Sequence, residues 1–166
     1  MKINLALLSP NQNAYSETFI QNHKKYLDAN VKFYYGGYLP LYLEGEARLG
    51  LNKKERIARY INKKIFGKAL VNTDQEKALI NSFRKHKIDA VYVEYGFTGA
   101  HVAKVCKQMN LPLIVNFHGF DASIISLLDE YKEAYKNMFE YASAIIAVSK
   151  IMKQKLVELG CNAQKI

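Results

Sequence analysis

Short apolar runs alternate along this chain with longer stretches of helical periodicity, and that alternation leaves few folds open. Lys2–Leu8, Val31–Gly36, Asp89–Val93, Leu111–Phe117 and Ala144–Val148 read as strands. Ser16–Asn30, Lys53–Phe66, Asp74 to about His86, Gly96–Met109, Asp129–Tyr141 and Ser149–Leu159 read as helices, with Ser16, and Thr73 or Asp74, as N-caps and Gly160 as a terminating glycine. Tyr38–Gly50 and His118–Ser123 read as irregular. Strands that lack polar alternation are buried on both faces, and strands separated by helices run parallel. The expected fold class is therefore α/β, a Rossmann-like doubly wound parallel sheet, with residues 1–166 forming one domain.

At 166 residues with 49% apolar and 23% charged side chains, the chain can bury a core without metals or disulfides. The apolar start could pass for a short signal sequence. Pro10-Asn11-Gln12-Asn13 stands where a small-residue cleavage site belongs, so the start reads as a buried strand. No run approaches the roughly 18 apolar residues of a membrane span. Cys106 and Cys161 form no zinc-spaced cluster, so no metal is expected, and Cys106 falls in an apolar helix pattern. A reduced, cytoplasmic compartment follows as the expectation.

The net charge of +9 is unevenly spread. Residues 48–87 hold twelve basic and three acidic side chains, whereas the segments on either side are each neutral. Such a block suits an anionic partner: nucleic acid, a phospholipid surface or a phosphate-bearing substrate. Within it Ile57, Tyr60, Ile61 and Ile65 share one helical face, with Arg56, Arg59, Lys63 and Lys64 mostly around the rest. Two readings stand side by side. One is a solvated helix whose apolar stripe packs on the core; the other is an amphipathic helix at an anionic membrane surface.

In parallel sheets ligands sit at the carboxyl ends of the strands. That rule nominates Ser9–Ser16, Glu94–Thr98, Phe117–Ser123 and Ser149–Lys150. The first loop has no glycine, so it is neither a dinucleotide fingerprint nor a Walker loop; it caps a helix or holds an anion there. His118 directly follows a strand, Gly119 permits close backbone approach, and Asp121 can orient the imidazole or bind a hydroxyl. No serine elbow accompanies them. Glu94 binds hydroxyls or caps the helix that follows. His23, His86 and His101 read as surface or packing residues.

Tyr15-Ser16-Glu17-Thr18-Phe19-Ile20, His118-Gly119-Phe120-Asp121-Ala122-Ser123 and Ala147-Val148-Ser149-Lys150, in this order across nearly the whole chain, resemble the N-terminal half of family 4 glycosyltransferases. These are retaining enzymes of the GT-B fold, and the likeness is to the bacterial type that builds capsule, exopolysaccharide or lipopolysaccharide. The resemblance implies an acceptor-side domain whose nucleotide-sugar-binding C-terminal partner is absent from these residues, and which is inactive alone. It implies that Ser16 and Glu17 face the cleft near donor phosphates or acceptor, and that His118 approaches the donor sugar. Asp121 lies near the transferred sugar or acceptor hydroxyl, and Ser149 and Lys150 line the cleft. The implied partners are a nucleotide sugar as co-substrate and a glycan or lipid-linked acceptor, with no metal or other cofactor. Peripheral contact with an anionic inner membrane fits the basic block. The alternative is a non-catalytic module that grips an anionic glycan or a membrane. Nucleic acid is not expected, since the block lacks an RNA-recognition pattern and a helix-turn-helix signal. The geometric expectation is that His118 and the Ser16–Glu17 corner converge on one wall of a crevice.

Overall fold

The computed structural model describes residues 2–12, 15, 17–66 and 73–166, apart from the side chains of Arg56, Arg59 and residues 62–66. Six strands, β1 (Asn4–Leu8), β2 (Asn30–Tyr35), β3 (Tyr42–Leu43), β4 (Ala90–Glu94), β5 (Leu113–Phe117) and β6 (Ala144–Ala147), form one sheet in the order β3-β2-β1-β4-β5-β6. All neighbours are parallel except β2 and β3. This is the Rossmann-like arrangement expected from the alternation. The two-residue antiparallel β3 falls in the stretch read as irregular; Tyr34 pairs with Leu43 and Tyr35 with Tyr42.

The continuous apolar strands are explained by burial on two sides. Ala6 and Leu8 of β1 join Val91, Val93, Val115 and Phe117 in the larger core, while Leu5 and Leu7 join Ile20, Phe33, Ala90 and Tyr92 on the opposite face. Side chains alternate with period two, and both faces demand carbon.

The helices are α1 (Thr18–Tyr26), α2 (Lys53–Phe66), α3 (Asp74–Lys85), α4 (Gly96–Met109), α5 (Phe120–Ser123), α6 (Ile125–Tyr141) and α7 (Lys150–Glu158). Thr73 caps α3 through a reciprocal capping box with Glu76. Past α7, Gly160 has φ +97° and the N–H of Cys161 bonds the carbonyl of Leu156, which ends the helix. Two helices differ at their boundaries: α1 is shorter than read at both ends, and α6 begins four residues earlier, preceded by the one-turn α5 in place of a loop. Cys106 and Cys161 are free and buried, and burial pushes both thiols up, away from reactivity.

On α2 the core-packed reading is corrected. Ile57, Tyr60 and Ile61 are 61%, 60% and 49% exposed, so the apolar stripe faces outward where it is described. The side chains of Arg56, Arg59, Lys63 and Lys64 lie outside the described residues, as does Ile65's.

Close packing of α4 on β5 depends on glycine. A Cβ on Gly99 would stand 2.7 Å from Met138 Sδ and 2.9 Å from both Val115 methyl carbons. Gly99→Ala gains up to about 1 kcal/mol of helix propensity but costs about 1–3 kcal/mol of overpacking against a stiff β-branched neighbour. The expected net result is a loss of about 1–2 kcal/mol, read as a lower urea midpoint with an unchanged slope.

Candidate active site

Strand order reverses at β1. The chain leaves it toward β2 on one side and returns to β4 on the other, which makes the carboxyl ends of β1 and β4 the topological switch point of the sheet. Glu94, the last residue of β4, is wholly buried there. Its Oε1 lies 2.5 Å from Nδ1 of His23 on α1, and its Oε2 lies 2.7 Å from Nε2 of His118, which follows β5. Asn116 Nδ2 donates to the same Oε2 at 3.2 Å. An ionised carboxylate accepts only, so against ionised Glu94 the imidazole nitrogens that face it are the donors.

Aromatic rings close over this centre. Phe19 stacks on His118 with centroids 4.1 Å apart and planes at 24°, and Tyr95 leans on His118 at 4.9 Å. Tyr95 has φ +75°, a left-handed conformation that is strained for a bulky side chain. The strain delivers its hydroxyl to Glu17 Oε1 at 2.7 Å, where Asn11 Nδ2 also donates at 2.9 Å. Burial pushes the Tyr95 phenol up, and the Glu17 carboxylate adds to the effect, so the hydroxyl stays a donor. Glu17 is 9% exposed, and its Oε2 is buried without a partner.

Asp121 sits beneath the next loop. Its Oδ1 accepts the backbone N–H groups of His118 and Gly119 at 3.0 and 3.1 Å, and its Oδ2 accepts that of Gly96 at 2.7 Å. It has no exposed surface, and burial pushes its carboxyl above the ordinary range while these bonds pull it back. Direct contact of Asp121 with a sugar or acceptor hydroxyl is thereby corrected: the carboxylate is spent on fastening the loop. Glu94 is corrected likewise, since both its oxygens are taken by side chains rather than turned to solvent.

The other expected residues divide. Glu17 and His118 do converge, through Phe19 and Tyr95, though both are largely covered. Ser16 lies outside the described residues. Gly119, at φ +111°, lines a cleft of about 380 Å³ with Ser149 and Lys155. Ser149 caps α7 by accepting the N–H of Met152 at 3.1 Å, and the Lys150 side chain is solvent-exposed. Sequence reading missed His23, Phe19 and Asn116 as site residues. A signal existed for the first two: they stand four apart on α1, so they share a helix face. Among the described residues no group of three His, Cys, Asp or Glu side chains has the geometry to hold a metal ion, and no helix is long and apolar enough to cross a membrane.

The profile of Glycosyltransferase Family 4 matches residues 17–166. The amylovoran biosynthesis glycosyltransferase AmsK of Erwinia amylovora is 31% identical over 80 residues, which are 47% of this chain and 20% of that protein. HepE of Anabaena, solved with UDP and glucose, superposes with a TM-score of 0.63 at 14% identity, over 98% of this chain and 43% of its own. The UDP-N-acetylglucosamine 2-epimerase of Rickettsia bellii superposes with a TM-score of 0.57 at 12% identity, over 99% of this chain and 44% of its own. These two likenesses concern the fold. The chain spans about a fifth of the length of the curated relative it matches and less than half of each solved structure.

Asp121→Asn replaces one of the two acceptor oxygens with an amide that cannot accept, leaving either the Gly96 N–H or the His118 and Gly119 N–H groups unpaired. The expected cost is about 1–3 kcal/mol in urea unfolding, with faster hydrogen exchange at Gly96 or at His118 and Gly119. Unchanged stability and exchange would show that these three bonds do not hold the loop.

Proposed function

The chain belongs to Glycosyltransferase Family 4, and on that premise we propose that it is the acceptor-side domain of a retaining GT-B enzyme. The enzyme moves a hexosyl unit from a nucleotide sugar to a growing surface polysaccharide or lipid-linked glycan. The observation that carries this reading is the convergence of Glu17, Tyr95 and His118 at the strand switch point, where ligands of such sheets bind. AmsK's role in amylovoran biosynthesis supports the polysaccharide reading, and the UDP and glucose bound by HepE support a nucleotide-sugar donor.

The state of the carboxylates favours a reaction run by positioning. Glu94 and Asp121 are committed to internal hydrogen bonds, so neither is offered as a nucleophile. Transfer then relies on the orientation of donor and acceptor and on stabilising developing charge, with the donor phosphate taking the acceptor proton and no metal taking part. His118 faces the donor sugar through its ring or carbonyl. The unpartnered Oε2 of Glu17 suits a hydroxyl donor; an anionic phosphate beside it is repelled. Gly119, Ser149 and Lys150 flank the same rim. The exposed stripe of Ile57, Tyr60 and Ile61, set in the basic block, favours peripheral contact with an anionic membrane where lipid-linked acceptors reside.

Incubation with UDP- and GDP-sugars is expected to show no transfer by residues 1–166 alone and transfer by the complete native gene product. His118→Ala in that product is expected to lower turnover at least about tenfold with folding intact. Robust transfer by the 166-residue chain would overturn the division of labour, and near-normal turnover in the variant would reduce His118 to packing.

Liposome cosedimentation is expected to rise with anionic lipid and fall with salt. Replacing Arg56, Arg59, Lys63 and Lys64 together with Gln is expected to weaken it at least roughly tenfold, since each such cation contributes about 1 kcal/mol near an anionic surface. Unchanged binding would leave α2 as a solvated helix.

A further inference from the structure

The His23–Glu94–His118 arrangement holds more order than substrate contact by one histidine requires. We propose that Glu94, with His23 as its second imidazole partner, is a positioning residue. It fixes the His118 ring in the Nε2–H form and leaves Nδ1 as an acceptor for a sugar hydroxyl. The functional half of this inference rests on the reading of His118 as facing the donor sugar; the structural half does not.

Each oxygen of Glu94 takes one imidazole, at 2.5 Å from His23 and 2.7 Å from His118. The carboxylate stands at the end of a buried central strand and has no exposed surface, so it is a fixed reference point. Because it can only accept, the nitrogen of His118 that points to it is protonated. In the neutral ring the proton at Nε2 leaves a lone pair at Nδ1, and among the described residues Nδ1 makes no hydrogen bond. Rotation of the ring is opposed from three sides: Phe19 stacks on one face, Tyr95 leans on it, and Asp121 ties the His118 backbone N–H. His23 gives the second oxygen a donor, which keeps the carboxylate from turning. Its own ring is edge-on to Tyr92 at 5.3 Å and its side chain is 29% exposed. The sequence placed Glu94 and His118 on one rim but not their pairing, because a glutamate at a strand end shows no direction until the sheet is built.

The test reads the rings directly. Two-bond ¹H–¹⁵N correlation spectra of the imidazole-labelled 166-residue chain report which ring nitrogens carry protons. The wild type is expected to show His118 as the Nε2–H form and His23 protonated at Nδ1. Glu94→Gln keeps the shape but has one acceptor oxygen where the two imidazoles each take one, so at least one of the two rings is expected to change its protonation pattern. His118 found as the Nδ1–H form, or as an even mixture in the wild type, overturns the proposal even if the variant fails to fold. For the functional half, the complete gene product is assayed as wild type, Glu94→Gln, His118→Ala and the double variant. Glu94→Gln is expected to lower kcat about tenfold, yet less than about twofold in the His118→Ala background, since it acts through that ring. Equal losses in both backgrounds overturn the positioning role, because a merely structural carboxylate would give them. Absence of transfer by the wild type with every donor sugar strikes the proposed function instead, and the spectra still judge the ring.

Discussion

A carboxylate with no exposed surface costs several kcal/mol unless its lone pairs are met. Glu94 is such a group, and the rim is built around meeting it. Its donors come from three places in the chain: His23 from α1, Asn116 from the end of β5 and His118 from the loop beyond. The first helix, the central strand and the neighbouring loop are thus pinned to one point by polar bonds, above a sheet held by carbon. Removing any one donor would leave charge under-compensated in the interior, so the cluster stands as a unit.

Its neighbours follow from the same constraint. Once β4 ends on an inward-turned side chain, the chain must reverse into α4 at once, and Tyr95 takes up a left-handed conformation to do so. Gly96 then passes where a Cβ would lie 2.2 Å from the Phe117 ring, and its N–H is collected by Asp121. Asp121 also collects the N–H groups of His118 and Gly119, so one buried carboxylate sets the backbone that carries the imidazole held by the other. The three acidic residues of the rim therefore have unlike fates. Glu94 orders side chains and Asp121 orders backbone. Glu17 is satisfied on one oxygen and unpartnered on the other.

The parts of this that were legible in the sequence are those set by one-dimensional pattern. Continuous apolar runs gave the parallel strands and their two-sided burial, the strand-end rule placed His118 and Glu94 on one rim, and the family resemblance added Glu17. Direction was not legible. Glu94 read as a hydroxyl binder or a helix cap and Asp121 as an orienter of the imidazole or a hydroxyl binder, because a carboxylate near a strand end looks the same whether it points out or in; only the packed sheet shows that both turn inward. The antiparallel β3 escaped because two residues carry no periodicity, and α5 because one turn carries none either. His23 was hidden by its setting in an amphipathic helix, where a histidine on the apolar side passes for packing.

The stripe on α2 shows periodicity failing in the other direction. Ile57, Tyr60 and Ile61 have the spacing of a core-facing helix, and pattern alone cannot separate a face that meets the sheet from one that meets something else. In the fold these three residues are about half or more exposed. Three large apolar side chains that keep about half or more of their surface exposed, on a helix of fourteen residues, gain only part of their burial from folding the chain itself. Their burial, on the proposed reading, is deferred to a lipid surface that the surrounding +9 block draws in at long range and the apolar stripe then enters at short range. On that proposed reading, charge would supply the approach and carbon the depth.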